Sequence, residues 1–172
     1  MDVAVDRPAG RVTRGRVAGT VVIVLIIGLA TLSALLFSRL QAASAADGRR
    51  DAILEAAHQE AVNFTTIDYR HADRDFGRVL DGATGPFRKQ FATVGDASLK
   101  KLIVKNKQVT TGDVKSVGLV SSDADSARVI VAADSRIRST GQPDGTVRHY
   151  RMLMHLAREH GTWLTSKIEF VG

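Results

Sequence analysis

Residues 146–159, TVRHYRMLMHLARE, and 162–171, TWLTSKIEFV, with His160-Gly161 between them, decide the fold. In the first stretch Tyr150, Met152, Met154 and Leu156 alternate with Arg151 and His155, the period of two that puts one face of a strand into a core. In the second, Leu164, Ser166, Ile168 and Phe170 oppose Trp163, Thr165, Lys167 and Glu169. A two-residue connection with glycine at its second position predicts a hairpin. Working upstream, residues 108–121 and 127–138 are further β-branched runs, bounded by Ser122-Asp123-Ala124-Asp125 and Gly141-Gln142-Pro143-Asp144-Gly145. Short turns between such runs join neighbours, so the expectation is a four-stranded antiparallel meander with one apolar face.

Something must cover that face, and the sequence before it is helical in character. Residues 38–66 are alanine-rich, with Gly48 the single glycine and no proline, which predicts a helix. Ile53, Leu54, Ala57, Ala61, Val62 and Phe64 lie near one face, opposite Arg49, Glu55, His58 and Glu60. A shorter helix over 73–80 carries Phe76, Val79 and Leu80 on one side and ends at Gly82 and Gly85-Pro86. A third starts at Pro86 with Phe87, Phe91 and Val94, and residues 98–105 add a last basic turn or two. Helices first and sheet second give an α+β domain over about 47–172, the helices lying across a curved antiparallel sheet.

Residues 17–37, VAGTVVIVLIIGLATLSALLF, contain no charge. At about 1.5 Å per residue, a helix of that length spans the roughly 30 Å hydrocarbon core of a bilayer. The expected organisation is a leader over 1–16, a transmembrane helix over 17–37, and a connecting and first core helix over 38–66 that leads into the domain. A cleaved signal peptide is the alternative, because Ala43-Ser44-Ala45 offers a small-residue cleavage pattern. The apolar run is longer than the usual signal-peptide core, which favours a retained anchor. Arg7, Arg11, Arg14 and Arg16 precede the run, whereas Arg39, Arg49 and Arg50 follow it interleaved with Asp47 and Asp51. This bias predicts a single-pass plasma-membrane protein with a cytoplasmic N-terminus and the domain on the outer, periplasm-like side.

Of the formal net charge of +6, the leader holds +2 (four arginines less Asp2 and Asp6), leaving +4 for the rest. With aromatic residues at only 5% of the chain, no dense basic stripe with stacking rings remains, and nucleic acid is not an expected partner. Cysteine is absent, which excludes disulfides, thiolate nucleophiles and Cys-based metal sites.

The order of elements, closed by Gly161-Thr162-Trp163-Leu164, resembles the nuclear-transport-factor-2-like (SnoaL-like) cone fold over about 47–172. A closer resemblance rests on Ala61-Val62-Asn63-Phe64-Thr65-Thr66-Ile67-Asp68-Tyr69-Arg70-His71, then Asp75-Phe76, Gly82-Ala83-Thr84-Gly85-Pro86-Phe87 and Leu99-Lys100-Lys101. In that order, after one apolar helix and before a four-strand sheet, these pieces are similar to the actinobacterial Mce-associated membrane proteins. The resemblance implies an accessory of an Mce (mammalian cell entry) lipid or sterol import system in the cell envelope. Its partners would be the membrane, Mce-family proteins and their permease. It implies no catalytic activity.

The remaining candidates are individual residues. Asp68 and Tyr69 have the residue types of a carboxylate base and a tyrosine donor, as in cone-fold isomerases; the plainer reading is a helix-end cap or an Asp68–Arg70 contact. Phe76, Tyr150, Met152 and Met154 are pocket candidates that serve equally well as core. Lys100, Lys101, Lys105 and Lys107 form the densest charge run, a candidate contact for anionic headgroups or an acidic partner, or else a solvated face. No catalytic set, metal or cofactor is expected, since the five histidines show no ligand spacing and no nucleophile elbow occurs. Sheets of this kind also pair with copies of themselves, so a homo-oligomer stays open.

Overall fold

The computed structural model describes the backbone of residues 14–171; side chains are described at 29, 31–35 and 37 and from 46 onward, apart from 94, 96 and 97. Helix α1 (Arg14–Thr65) is followed by a two-residue strand β1 (Ile67–Asp68), a 3₁₀ turn (Tyr69–His71), α2 (Ala72–Asp81), α3 (Gly85–Val94), a π-helical turn (Gly95–Leu99) and α4 (Lys100–Lys105). Four long strands complete the chain: β2 (Val109–Ser122), β3 (Ser126–Ser139), β4 (Gln142–Glu159) and β5 (Thr162–Phe170). The chain divides into two compact units, 1–46 and 47–172.

In the first unit the backbone is helical from Arg14, and the Ser33 hydroxyl donates to the Leu29 carbonyl at 2.8 Å. Of the span expected at 17–37 the backbone is helical but most side chains lie outside the described residues, as do residues 1–13 of the leader. Among the described residues no helix is long and apolar enough to cross a membrane.

The second unit is the α+β domain. Its sheet runs β1-β2-β3-β4-β5, antiparallel throughout, so every long strand pairs with its neighbour in sequence. His160 (φ 49°) and Gly161 (φ 87°) both adopt the left-handed region, the turn whose twist matches two antiparallel strands. The inward face carries Val129, Val131, Met152, Met154 and Leu156, all buried against Ile53, Ala57 and Ala61 of α1. A second cluster holds the short helices together, with the Phe76 and Phe91 rings stacked at 5.3 Å and Ile67, Val79, Phe87 and Ile103 around them. Phe64 bridges the two clusters, its ring 6.2–6.3 Å from those of Phe87, Phe91 and Phe170. Together these contacts form the helix-on-curved-sheet architecture.

One close approach fixes how α1 meets the sheet. A Cβ on Gly112 would lie 2.0 Å from Thr65 Oγ1, so only glycine lets β2 pass the end of the helix. Its amide donates to the Thr66 hydroxyl at 3.1 Å, and the Ser135 hydroxyl donates to the Thr65 carbonyl at 3.2 Å.

The structure corrects the sequence reading in three places. Glu60, expected on the solvent face of α1, is only 2% exposed. On β5, Trp163 and Thr165 point into the core, opposite to the alternation read from the sequence. The register shifts between His155 and Leu156, leaving Ser166 as the extra residue of a bulge, and only beyond it does the inward face pass to Ile168. A one-residue slip exchanges the two faces of a strand, and that is what the bulge does here. Finally, the short turn read at 141–145 is shorter still. The turn is tight at Thr140-Gly141, and β4 already begins at Gln142, with Pro143 and Gly145 (φ 78°) accommodated in an irregular register opposite Ile137–Ser139.

Candidate functional site

The cone-like space between helices and sheet encloses a cavity of about 170 Å³. Its walls are mostly apolar, with Phe64 from the end of α1, Phe91 from α3, Ile103 from α4, Ile137 from β3 and Tyr150 from β4, and Thr65, Gln108, Thr110 and Ser135 as the polar members. Ligand pockets for drug-sized molecules run from about 300 to 1,000 Å³, so the space accepts a small apolar group and not a sterol ring system. The cone is mostly filled.

Of the pocket candidates, Tyr150 alone lines this cavity. Its ring sits 5.8 Å from that of Phe170 at the open end of the sheet. Met152 and Met154 are fully buried under α1 and belong to the sheet core. Phe76 is in the helical cluster, stacked on Phe91 and away from the cavity lining.

Asp68 and Tyr69 are held by other tasks. Asp68 Oδ1 accepts the backbone amide of Arg70 at 2.9 Å, capping the 3₁₀ turn, and the Arg70 guanidinium closes on the same carboxylate at 2.6–3.0 Å. Those hydrogen bonds from Arg70 hold the Asp68 carboxyl down at about 2, so it stays ionised and fully engaged. A general base needs a free lone pair and a pKa nearer neutrality. Tyr69 donates its amide to the Gln108 carbonyl at 3.0 Å and packs half-buried against the helical cluster. Because Asp68 is exposed enough for solvent to screen its ion pair, Asp68→Asn, which keeps an oxygen to cap the turn, is expected to cost no more than about 1 kcal/mol, mainly the weakened pairing with Arg70. Urea denaturation checks this, and a loss several times larger would give Asp68 a role that these contacts do not.

The two acids in the first turn of α2, Asp73 and Asp75, serve different contacts. Asp75 is buried and fully used: Oδ2 accepts the Asp68 amide at 2.8 Å, while Oδ1 meets Arg74 and Arg78 at 3.0 Å each. Asp73 is exposed and pairs with Lys100. Among the described residues no group of three or more acidic or histidine side chains converges as a metal site.

The lysine run straddles α4 and the turn after it. Lys101 and Lys105 flank Leu102 and Val104, which are 52% and 48% exposed although large and apolar. Lys100, Lys101, Val104 and Lys105 border a shallow surface depression, whereas Lys107 sits beyond the helix in the left-handed conformation (φ 49°). A six-residue helix that buries only Ile103 therefore presents a mixed basic and apolar surface. The sequence showed the lysines, but the exposure of Leu102 and Val104 becomes visible only once Ile103 is seen to satisfy the core alone.

Residues 14–172 match the family model described as "Uncharacterized protein Rv1363c/MT1408-like". A curated relative, "Uncharacterized protein Rv1363c" of Mycobacterium tuberculosis, is 32% identical over 155 residues, covering 90% of this chain and 59% of that protein. The chain thus spans about three fifths of the length of the relative it matches. Among solved structures, the periplasmic domain of DotI superposes with a TM-score of 0.59 at 14% identity, over 70% of this chain and 94% of that one. An IcmL-like type IV secretion system protein from Legionella pneumophila gives 0.58 at 10% identity (71% and 91%), and a TraE protein 0.53 at 12% (67% and 91%). At such identities the likeness is one of fold, a run of helices over a curved antiparallel sheet.

Proposed function

We propose, for a chain that belongs to the Rv1363c/MT1408-like family, a role as a membrane-anchored accessory protein of an Mce-type lipid or sterol import system. It acts without catalysis, through protein–protein contact or stabilisation of the assembly. The observation that carries this reading is the joining of an uncharged apolar run at 17–37 to a mostly filled cone domain, with its fold shared by a periplasmic domain. Such an arrangement holds a rigid surface at the membrane's outer side, as an assembly component requires. The resemblance of Ala61–His71 and the segments after it to Mce-associated proteins supplies the system.

The surface that suits such contact is α4. Exposed apolar groups rimmed by lysines match an acidic partner face or anionic headgroups, gaining both area and charge complementarity. Crosslinking the full-length protein in its native envelope, followed by mass spectrometry of the captured material, tests the proposal. Mce and permease subunits are expected among the products and are expected to fall away when Lys101 and Lys105 are both changed to glutamate. Efficient capture of the bait with no such subunit sinks the proposal. The alternative, an apolar small-molecule or isomerase-like cone, draws support from the cavity at Tyr150. Its small volume and the engagement of Asp68 by Arg70 favour the accessory role.

A further inference from the structure

A second concavity, of about 440 Å³, opens where α1, the end of α2 and the start of β5 meet. Gln59, Glu60 and Asn63 come from α1, Arg78 and Asp81 from α2, and Trp163 from β5. Glu60 is the unusual member. Although 98% buried (2% exposed), neither of its carboxyl oxygens meets a partner at normal hydrogen-bond distance, and Asn63 is the polar side chain that acts on it. Asp75, equally buried, has three donors. Leaving a buried polar group unpaired is destabilising, so packing gives no reason to keep an acid here.

The surroundings make room for the carboxyl without satisfying it. A Cβ on Gly82 would stand 2.0 Å from Glu60 Oε2, so the acid lies directly against the bare backbone of residue 82. Thr165, whose amide donates to the Gly82 carbonyl at 2.8 Å, has a buried hydroxyl that is likewise unpartnered. The Asn63 amide accepts from Gln59 at 3.0 Å and reaches the Arg78 carbonyl at 3.5 Å.

The chemistry of the walls selects the ligand. Burial raises the Glu60 carboxyl to about 8, with the Asn63 amide offsetting a smaller part, so at neutral pH it is a protonated acid that both donates and accepts. The amides of Gln59 and Asn63 also do both. Arg78 disfavours a cation and is itself held by Asp75; Asp81 disfavours an anion. Hydroxyl groups fit a lining of this kind, and the volume falls within the range of small-ligand sites.

We infer that this cleft binds a neutral polyhydroxylated ligand of about monosaccharide size, a sugar or cyclitol unit, through Gln59, Glu60 and Asn63 beside Trp163. The inference rests on the cleft alone and stands apart from the proposed system role. Trp163 is the only tryptophan of the chain, so its fluorescence reports on the site. The full-length protein in detergent is titrated with glucose, mannose and myo-inositol, and with ethanolamine and phosphate as charged comparisons. A saturable change is expected with at least one neutral probe. It should weaken about tenfold or more in Gln59→Ala/Asn63→Ala, the equivalent of one good hydrogen bond, and vanish in Glu60→Leu, while both variants keep a cooperative unfolding transition. No saturable change with any neutral probe overturns the inference. So does an unchanged titration in the two variants, or saturation by a charged probe alone.

Discussion

Raising the pH from below 4.5 to above 8 will destabilise this domain more than it destabilises a Glu60→Leu variant. In the unfolded chain the Glu60 carboxyl titrates near 4.5, but in the fold burial moves it to about 8. Between those values the folded state holds a proton that the unfolded state has lost, so each unit of pH removes stability. The contribution is fully present below 4.5 and is lost as pH rises through about 8. The limiting slope is about 1.4 kcal/mol per pH unit, so the whole window amounts to a few kcal/mol. Burial is the larger cause of this shift and the Asn63 amide offsets a smaller part; Arg78 and Asp81, which line the same cleft, carry opposite charges. Replacing the acid by a leucine of similar volume removes the pH dependence and is expected to leave stability at neutral pH equal or higher. Urea midpoints measured across the window for both proteins test this. Parallel curves would mean that Glu60 is hydrated or paired in solution.

Met154→Ala is expected to cost about 2–5 kcal/mol, the range for truncating a large residue in a close-packed core. Met154 is fully buried, faces Val129 on β3 and Ile168 on β5, and packs under α1. Had the methionines lined a hollow cone, the same change would enlarge an existing space at little cost. Denaturant unfolding therefore distinguishes a filled sheet core from a hollow one, and a loss below about 1 kcal/mol would favour the hollow one. Ile130→Ala, on the opposite face of β3 and 40% exposed, is the comparison and should cost far less.

These two residues also mark what the sequence could and could not reveal. Met152, Met154 and Leu156 were legible as an inward face because strand alternation is a local property, and the meander followed from its short turns. The place of Glu60 lies in its spacing, since Ile53, Ala57, Glu60 and Phe64 recur every three or four residues, but its acidic side chain points a reading by residue type to the solvent face. The inward turn of Trp163 and Thr165 was not legible, because the bulge at Ser166 exists only in relation to its β4 partner. β1, two residues long, carries no periodicity at all. The Asp68–Arg70 contact was accessible because it spans two residues, whereas the cavity at Tyr150 depends on the gap between α3 and the sheet. Side chains from three helices and from strands β1 to β4 set its volume.

The borders of the sheet govern how copies of the domain can meet. An exposed strand edge invites another chain to add to it. β1 covers β2 only at Val109 and Thr110, but further along, the β2–β3 register breaks between Val114 and Ser116 and again between Leu119 and Ser121, so the outer edge is kinked and carries Lys115. On the other border, Gly82 and Thr84 exchange backbone hydrogen bonds with Thr165 and occupy part of β5. Neither side offers a foreign strand a long straight template, and crowding at high local density should not seed fibrillar stacking. Self-association of this domain, where it occurs, would therefore use a sheet face or the helices and would not extend one sheet through two chains.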